Sequence, residues 1–417
     1  MRFNTKFLSV LSLSILGTAL SPVAANAAGF YIQEQSVSGL GAAFSGSTTN
    51  LNDPSTIYFN PAGMTKLEGT QAQAGVHLLI PNADLEDTGS TVLGAPAGGG
   101  DGGNPYDPTP VPNAYISHQV NNNVWLGLGI SAPFGLANEY DDGWFGRFDS
   151  TKTELLTLDI QPSVAYKVNN QLSLGAGFNA QYADAQLDNV VTNGATEGEA
   201  SLKGDDWSFG YNVGVQYEPI QGTTFGASYR SAISHELEGD IEITGVAGLN
   251  RDDSASADLD LPDVATFGVA QDLNDKWTVM AQATWFGWNN FQDIDAEPDS
   301  GTDPAATVQN YQTTWAFAVG AEYEHNDQWK FRGGVQFDET PTTNEFRTTR
   351  TPDGDRTWGS LGATYTFNER MSLDLAATYI HIEDETVNVS RNGGLATVSA
   401  DTEGSVGILA AGFTYKF

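Results

Sequence analysis

The C-terminal segment, residues 406–417, constrains the possible folds more than any other part of this chain. In an extended conformation, Leu409 and Phe413 lie on one face, while Gly412 and Thr414 lie on the other. The same alternation of large apolar residues with small or polar ones recurs along most of the sequence. Strand after strand with one apolar and one polar face is typical of a β-barrel whose outside touches lipid.

The N-terminus has the three parts of an export signal. Arg2 and Lys6 supply the positive start, residues 7–20 form an apolar stretch, and Ala25-Asn26-Ala27 is a small-x-small cleavage site. We predict a signal peptide over residues 1–27. The alternative is a membrane-anchoring helix, for which the apolar stretch is too short.

Composition narrows the function classes. The chain contains no cysteine, which excludes a disulfide scaffold and thiolate chemistry. Its net charge of −34 repels nucleic acid. The acidic residues concentrate between the alternating runs, where they favour solvated loops. Divalent cations bridging these loops to anionic lipopolysaccharide are an alternative, although no run has the spacing of an EF-hand.

Short turns divide the alternating runs at regular intervals. They lie at residues 121–123, 169–170, 220–222, 274–276, 326–327 and 368–369. Longer polar segments lie between them, at about 84–110, 134–152, 184–204, 235–260, 289–309, 339–355 and 384–403. Six short turns and seven long loops join fourteen strands, and short turns on one side with long loops on the other are typical of outer-membrane barrels.

We therefore predict an all-β fold: a 14-stranded antiparallel transmembrane β-barrel over residues 69–417, in the outer membrane of a Gram-negative bacterium. A soluble β-solenoid is the structural alternative, but it requires a short repeating unit that the sequence lacks. The terminal Phe417 is the expected signal for the barrel assembly machinery.

Residues 28–68 lack the pattern of a transmembrane hairpin. They are rich in Gly and Ser and carry scattered apolar residues. Fourteen strands enclose a lumen too wide for wall side chains alone to fill. We predict that this segment folds inside the barrel as a hatch; a disordered extension is the alternative.

Several short motifs stand in a characteristic order along the mature chain. They are Gly29-Phe30, Ser38-Gly39-Leu40-Gly41, Asn60-Pro61-Ala62, Pro133-Phe134-Gly135-Leu136-Ala137, Ser228-Tyr229-Arg230-Ser231, Phe331-Arg332-Gly333-Gly334 and Asp353-Gly354-Asp355-Arg356. This arrangement resembles the FadL/TodX-type family of outer-membrane transporters for long-chain fatty acids and other hydrophobic molecules.

The resemblance implies a monomeric, passive transporter. Loops at the cell surface would capture the substrate and pass it to a site at the N-terminus of the hatch, here Ala28, Gly29 and Phe30. A shift of the hatch would then release it sideways through a kink in strand three. Such a route suits an acyl chain, because each CH₂ returned to water costs about 0.8 kcal/mol.

Two motifs have both a functional and a plainer interpretation. Pro133-Phe134-Gly135 follows strand three, and proline cannot donate to a strand ladder. This interruption is either the wall defect for lateral exit or an ordinary strand end. Asn60-Pro61-Ala62 is either a latch that holds the hatch against the wall or a passive turn.

Basic residues are scarce, so their positions are informative. Arg230, Lys330 and Arg332 alternate with lipid-facing neighbours and are predicted to face the lumen, where they either pair with acidic residues or contact substrate. Arg147, in the second long loop, is placed to attract a carboxylate or to form a salt bridge at the rim.

One departure from the family concerns the substrate. Fatty-acid importers of this family carry basic residues at the outer end of strand five, whereas this chain has Ala185-Gln186-Leu187-Asp188-Asn189. Fatty acids, hydrocarbons, aromatic compounds, esters and alcohols therefore all stay open.

Other function classes have weaker support. The five histidines lie in separate segments without a zinc-binding spacing, so we expect no enzyme, no metal and no cofactor. A general porin would have an unobstructed channel, which the hatch opposes. A surface adhesin without hydrophobic-substrate transport is the remaining alternative.

Overall fold

The computed structural model describes residues 29–301 and 307–417. The predicted signal peptide and Ala28 lie outside the described residues. No helix in the described part of the chain is long and apolar enough to cross a membrane.

Fourteen long strands form the wall, and β3, β7 and β8 are each built from two segments. The strands are β1 Thr70–Asp87, β2 Thr109–Gln119, β3 Val124–Ser131 with Gly135–Glu139, β4 Lys152–Lys167, β5 Leu172–Thr192, β6 Glu197–Ile220, β7 Thr223–Arg230 with Ile233–Thr244, β8 Arg251–Leu261 with Val264–Asn274, β9 Trp277–Phe286, β10 Thr314–Glu324, β11 Trp329–Asp338, β12 Arg356–Asn368, β13 Met371–Arg391 and β14 Ala396–Lys416. Short paired segments Thr91–Val92, Ala95–Pro96, Asp293–Ile294, Ala296–Pro298 and Thr307–Val308 decorate the loops.

The wall closes on itself, because β1 pairs antiparallel with β14 from Gln71 opposite Lys416 to Asp87 opposite Ala400. Each other strand pairs antiparallel with its sequence neighbours. Closure leaves no free sheet edge in the bilayer, where an unpaired backbone group would find no water. The all-β, 14-stranded antiparallel barrel predicted from the turns is confirmed.

The predicted faces of the strands are confirmed as well. In β14, Leu409 and Phe413 are exposed on the outside by 56% and 42%, whereas Ala410 and Thr414 are buried. In β6, Trp207, Phe209, Tyr211 and Val213 are exposed in the same way. The wall therefore presents an apolar, aromatic outside to the hydrocarbon and a small or polar inside to the lumen.

The long loops are shorter than the sequence suggested. Strands β5 and β6 continue their ladder through residues 184–192 and 197–204, and β13 and β14 continue through 384–391 and 396–403. A ladder can extend above the membrane with polar residues on both faces, so the loss of alternation there marks the membrane boundary rather than the strand end.

Residues 29–68 fill the lumen and form the hatch. They contain two short helices, α1 Val37–Leu40 and α2 Thr56–Phe59, and a 3₁₀ helix Pro61–Lys66. Ser36 caps α1 by accepting a hydrogen bond from the Gly39 N–H, and Pro61 opens the 3₁₀ helix, where its missing N–H is not needed. Most of the hatch is buried against the wall.

The hatch packs tightly because the wall lacks side chains where its backbone approaches. A Cβ on Gly362 of β12 would lie 2.6 Å from the Cα of Gly41. Apolar hatch residues, including Ile32, Leu40 and Phe44, join Trp358 and Ile380 of the wall in one buried cluster. Residues 29–68 of the hatch predicted at 28–68 thus occupy the barrel interior.

Candidate functional site

The third strand is interrupted inside the wall. Its first segment ends at Ser131 and its second begins at Gly135, and the register against β4 shifts by one residue between them. Pro133 lies in the gap and has no N–H for a ladder. Thr157 of β4 satisfies the backbone of Phe134, because its hydroxyl accepts from the Phe134 N–H at 2.9 Å and donates to the Phe134 carbonyl at 2.7 Å.

The N-terminus of the hatch reaches this interruption from the lumen. The Ile32 N–H donates to the Pro133 carbonyl at 2.8 Å, and the Gly135 N–H donates to the Phe30 carbonyl at 3.0 Å. The backbone groups that the broken strand leaves free are therefore used by the hatch. Any movement of the hatch N-terminus away from the wall must break these two bonds.

Phe30 lies in a cage of aromatic rings. Its ring centroid is 4.7 Å from that of Trp288, 5.2 Å from Phe291 and 6.2 Å from Phe134, all in edge-to-face arrangements. The backbone N–H of Gly29 donates to Asp353 Oδ2 at 3.0 Å. A Cβ on Gly29 would lie 2.9 Å from the Trp288 ring, so only glycine fits there.

An apolar cavity opens above Phe30, toward the long loops. It holds about 770 Å³ of empty space, a figure that includes its open mouth. Its apolar lining consists of Phe30, Leu136, Leu155, Ala185, Leu187, Leu202, Leu237, Ala255, Ala257, Leu259, Phe291, Ile294 and Tyr311. Nearly continuous hydrocarbon and aromatic walls suit an aliphatic or aromatic guest.

The loop between β11 and β12 folds inward and supplies a polar group to this cavity. Arg350, only 9% exposed, lines it together with Thr351. Its loop is held by the Tyr140 hydroxyl, which donates to the Thr349 carbonyl at 2.7 Å, and by Asn138, which donates to the Arg350 carbonyl at 2.7 Å. The sequence analysis missed Arg350, because it treated residues 339–355 as an exposed loop.

Asn60 joins the hatch to the wall. Its amide nitrogen donates to the Thr48 carbonyl at 2.9 Å and to the Val215 carbonyl of β6 at 3.0 Å, while its oxygen accepts from the Ala62 N–H at 3.2 Å. A Cβ on Gly214 would lie 2.0 Å from Asn60 Oδ1, so the absence of a side chain at Gly214 leaves space for the Asn60 amide.

The three lumen charges predicted from the sequence all form ion pairs. Arg230 Nη1 lies 2.8 Å from Asp159 Oδ2, and both side chains are buried. Glu322 accepts from Lys330 and from Arg332, each at 2.8 Å. The sequence analysis did not name the ion-pair partners Asp159 and Glu322. Asp159 lies 71 positions from Arg230, and Glu322 lies on the neighbouring strand β10, opposite Arg332.

Arg147 lies at the outer rim. Its guanidinium makes a two-point ion pair with Glu197, with Nε–Oε2 at 3.0 Å and Nη2–Oε1 at 2.9 Å. It also stacks 4.5 Å above the Phe148 ring. Arg147 is therefore held in the rim salt bridge that was one of its two interpretations, and it does not line the apolar cavity.

Glu34 is a buried hatch residue that the sequence analysis did not single out. Both of its carboxylate oxygens lack a hydrogen-bond partner among the described residues, and it is 1% exposed. Burial raises the pKa of Glu34 to about 7, with Arg356 opposing and Asp338 reinforcing this shift. The described residues contain no group of three His, Asp or Glu side chains able to hold a metal ion.

A closed 14-stranded barrel with an apolar outside, an internal hatch and an enclosed apolar cavity defines a class: an outer-membrane transport barrel. The family model for "Outer membrane protein transport protein (OMPP1/FadL/TodX)" matches residues 18–417, so the chain belongs to this family of transport proteins and not to an enzyme family. It resides in the outer membrane of Gram-negative bacteria.

Individual relatives agree with this assignment. The chain is 30% identical to a long-chain fatty acid transport protein of Escherichia coli, over 99% of this chain and 100% of the relative. It is 29% identical to outer membrane protein P1 of Haemophilus influenzae, over 88% and 89%. The crystal structure of a Pseudomonas aeruginosa FadL homologue superposes with a TM-score of 0.88 at 26% identity, covering 94% of this chain and 100% of that one. The Pseudomonas putida toluene transporter TodX shares the fold at 17% identity and a TM-score of 0.71, over 90% and 98%.

Proposed function

We propose that this protein carries long-chain fatty acids or similarly hydrophobic compounds passively across the outer membrane. The observation that carries the proposal is the apolar cavity closed by Phe30 and adjoining the interrupted third strand. The names of two relatives, a long-chain fatty acid transport protein and a toluene transporter, support the same substrate class.

The proposed path has three steps. The outer loops capture the substrate, which then enters the cavity against Phe30, with Ala28 and Gly29 beside it. A shift of the hatch N-terminus breaks the two backbone bonds to Pro133 and Gly135 and uncovers the gap in β3. The substrate leaves sideways into hydrocarbon through this gap at Pro133-Phe134-Gly135.

The pairing of β3 supports this exit. The second segment of β3 pairs with β4 but has no ladder to β2, whose pairing with the first segment ends at Ala114 opposite Ile130. Among the described residues, no ladder joins β2 to the Gly135–Glu139 segment, and a backbone bond runs from the Glu139 N–H to the carbonyl of Pro105, before β2 begins, at 2.8 Å. An acyl chain gains about 0.8 kcal/mol per CH₂ by moving from water to hydrocarbon, which favours a route through the wall.

In this mechanism Asn60-Pro61-Ala62 acts as the latch that limits how far the hatch moves. The lumen ion pairs of Arg230, Lys330 and Arg332 have a structural role, since each already has a carboxylate partner. Arg147 would orient the rim loops near the capture site through Glu197 and is a secondary candidate for attracting an anionic substrate.

We further propose that the barrel works as a monomer, because its sheet closes within one chain. Phe417, which is 72% exposed on the outside, would be recognised by the barrel assembly machinery. The acidic loops would face the lipopolysaccharide leaflet.

Uptake by cells tests the proposal. A Gram-negative host without its own fatty-acid importer is given this protein, and accumulation of radiolabelled hexadecanoate is measured. We expect uptake that falls to background when residues 28–30 are deleted, at equal amounts of folded barrel. Unchanged uptake in the deletion variant contradicts the hatch N-terminal site, and absence of uptake with the intact protein contradicts fatty-acid transport.

Conductance separates the alternative functions. A general porin predicts large, steady ion conductance in planar bilayers, whereas a hatch-filled barrel predicts little. An adhesin predicts normal surface binding without any uptake of hydrophobic compounds.

A further inference from the structure

Arg350 differs from the other buried arginines in its partners. Arg230, Arg332 and Arg356 each pair with a carboxylate, but Arg350 has no carboxylate within 4.0 Å in the described part of the chain. It is buried to the same degree as Arg230. A buried guanidinium without a counter-ion is costly unless something compensates it.

The hydrogen bonds that Arg350 does make are long and go to neutral acceptors. Nη1 donates to the Lys152 carbonyl at 3.2 Å, the Thr153 hydroxyl at 3.1 Å and the Asp188 carbonyl at 3.3 Å. Nη2 donates to Asn189 Oδ1 at 3.3 Å, and Nε has no acceptor among the described residues. Charge-assisted hydrogen bonds are normally 2.7–2.9 Å long, as those from Arg230 to Asp159 and Gln161 are.

The nearby carboxylates are occupied elsewhere or lie too far away. Asp149 accepts from the Thr349 N–H and hydroxyl at 2.7 Å with one oxygen and from Arg391 Nε at 2.6 Å with the other. Asp188 Oδ2 accepts from Gln186 at 2.6 Å, while its buried Oδ1 has no hydrogen-bond partner among the described residues and forms no ion pair with Arg350. Burial lowers the pKa of Arg350 to about 10, and Asp149 opposes this shift, so the guanidinium stays charged at neutral pH.

Arg350 also lies where two cavities meet. Besides the apolar cavity above Phe30, it lines a second cavity nearer the rim, and the two cavities share Leu187, Leu202 and Ile294 as well. A molecule that passes from the rim to Phe30 along these shared walls passes the Arg350 guanidinium. The apolar cavity then receives its hydrocarbon part, while Arg350 meets a polar end.

We propose that Arg350 binds the carboxylate of a single-chain amphiphile whose hydrocarbon tail occupies the cavity above Phe30, and so makes this transporter selective for anionic substrates over neutral hydrocarbons. The inference rests on the proposed function and deepens it. A carboxylate accepts two parallel hydrogen bonds from a guanidinium, which suits the unused Nε and the weakly used Nη2.

A binding experiment that varies only the head group tests this role. Purified protein in a non-ionic detergent is titrated with hexadecanoate and with hexadecanol, and binding is followed by tryptophan fluorescence. We expect the wild type to bind hexadecanoate more tightly. Arg350→Met is expected to weaken the binding of hexadecanoate by about tenfold to a hundredfold, the range of a charge-assisted hydrogen bond. The affinity for hexadecanol should not change.

Three further variants keep the result interpretable. Arg350→Lys retains the charge and should restore part of the preference for the acid, which a purely structural arginine would not do. Arg370→Met, at an exposed turn on the opposite side, should change neither affinity. If Arg147→Met removes the preference and Arg350→Met does not, the carboxylate is held at the rim and the inference is wrong.

The outcomes separate this inference from the proposed function. If Arg350→Met loses affinity for both ligands equally, the residue only holds the loop in place, and the inference is overturned. Equal affinity of the wild type for acid and alcohol overturns it too, while leaving hydrophobic transport intact. Failure of the wild type to bind either ligand contradicts the proposed function itself.

Discussion

The two halves of the lumen, on either side of the hatch, differ sharply. Above Phe30 the cavity is lined mainly by aliphatic and aromatic side chains. On the short-turn side, a cavity of about 1240 Å³ including its mouth is lined by Asp53, Glu322, Lys330 and Asp374 among other polar residues. A hydrophobic guest therefore has a favourable environment only as far as the hatch N-terminus, and an axial path would force it through charged, hydrated space.

This contrast indicates that the hatch does more than block the lumen. Its N-terminus forms the floor of the apolar cavity and at the same time fills the interruption of β3, while its later residues face the charged half. The arrangement favours a substrate path that turns sideways at Phe30. Four changes to the protein or its conditions test this path.

The largest effect is expected from closing the interruption of β3. Replacing Pro133 and Gly135 together by valine should let the ladder continue, and uptake of hydrophobic substrate should fall to background because the side exit is lost. Radiolabelled uptake measures this, and hydrogen exchange checks that β3 has become continuous.

A matched control exists in β8, which Pro262 interrupts in a similar way. In the part of the chain that the structure describes, no backbone hydrogen bond joins the hatch to that interruption. Pro262→Val should leave uptake unchanged. Persistent uptake in the β3 variant with a continuous ladder would show that substrate crosses the charged half after all.

Buried ion pairs of the wall are expected to contribute to stability rather than to transport. Asp159→Asn leaves the buried Arg230 without its counter-ion, which should lower the free energy of unfolding by roughly 3–5 kcal/mol. Denaturant unfolding in detergent measures this loss. Glu197→Gln at the exposed rim pair should cost less than about 1 kcal/mol. Similar losses in the two variants would contradict the contrast between a buried and a rim ion pair.

A substitution in the latch should have a smaller effect, on the free energy that holds the hatch in the lumen (its seating). Asn60→Ala removes the donations to Thr48 and Val215 and is expected to weaken seating by roughly 1–3 kcal/mol. More frequent conductance steps in planar bilayers should follow, because the hatch leaves the lumen more often. Asn52→Ala, at an exposed hatch residue, serves as the control. Identical conductance in both variants would indicate a passive turn at residues 60–62.

The smallest effect concerns pH. Because the pKa of Glu34 rises from about 4.5 to about 7 when the hatch is seated, the seated state retains a proton that a released hatch gives up. Seating should therefore weaken as pH increases from about 4.5 to 7 and should level off above that. Arg356 and Asp338 are the charged groups that face Glu34 from the wall.

Hydrogen exchange of hatch amides, corrected for intrinsic rates, measures this dependence. We expect several-fold more opening at pH 8 than at pH 5 in the wild type and a flat profile in Glu34→Gln. A pH dependence that persists in Glu34→Gln would assign the titration to another group.

Most of the fold could be predicted from the sequence, and so could part of the site. Alternation in segments such as 406–417 predicted the faces of the strands, since side-chain period two is a local property of the backbone. The motif Pro133-Phe134-Gly135 marked a place where a strand ladder is interrupted, because proline has no N–H wherever it lies in a fold. The position of Arg230 on the lumen face followed from the same alternation.

What the sequence did not predict are the partners of these residues. Asp159 faces Arg230 and Trp288 faces Phe30 only because closure of the barrel brings distant strands together. The lengths of the loops were overestimated, because hydrogen bonding continues in β5 and β6 after the alternation of side chains has ended.

Local pattern along the sequence was enough to predict the number of strands, the lipid-facing surface and the existence of an internal segment. It also predicts an export signal over residues 1–27, which lie outside the described residues. Only the tertiary structure decided where the hatch N-terminus meets the wall, which ion pairs form and that Arg350 enters the lumen. The contacts of the hatch N-terminus and of Arg350 join residues more than 100 positions apart, and Arg230 lies 71 positions from Asp159. Such contacts arise from closure and packing, which leave no periodic signal along the chain.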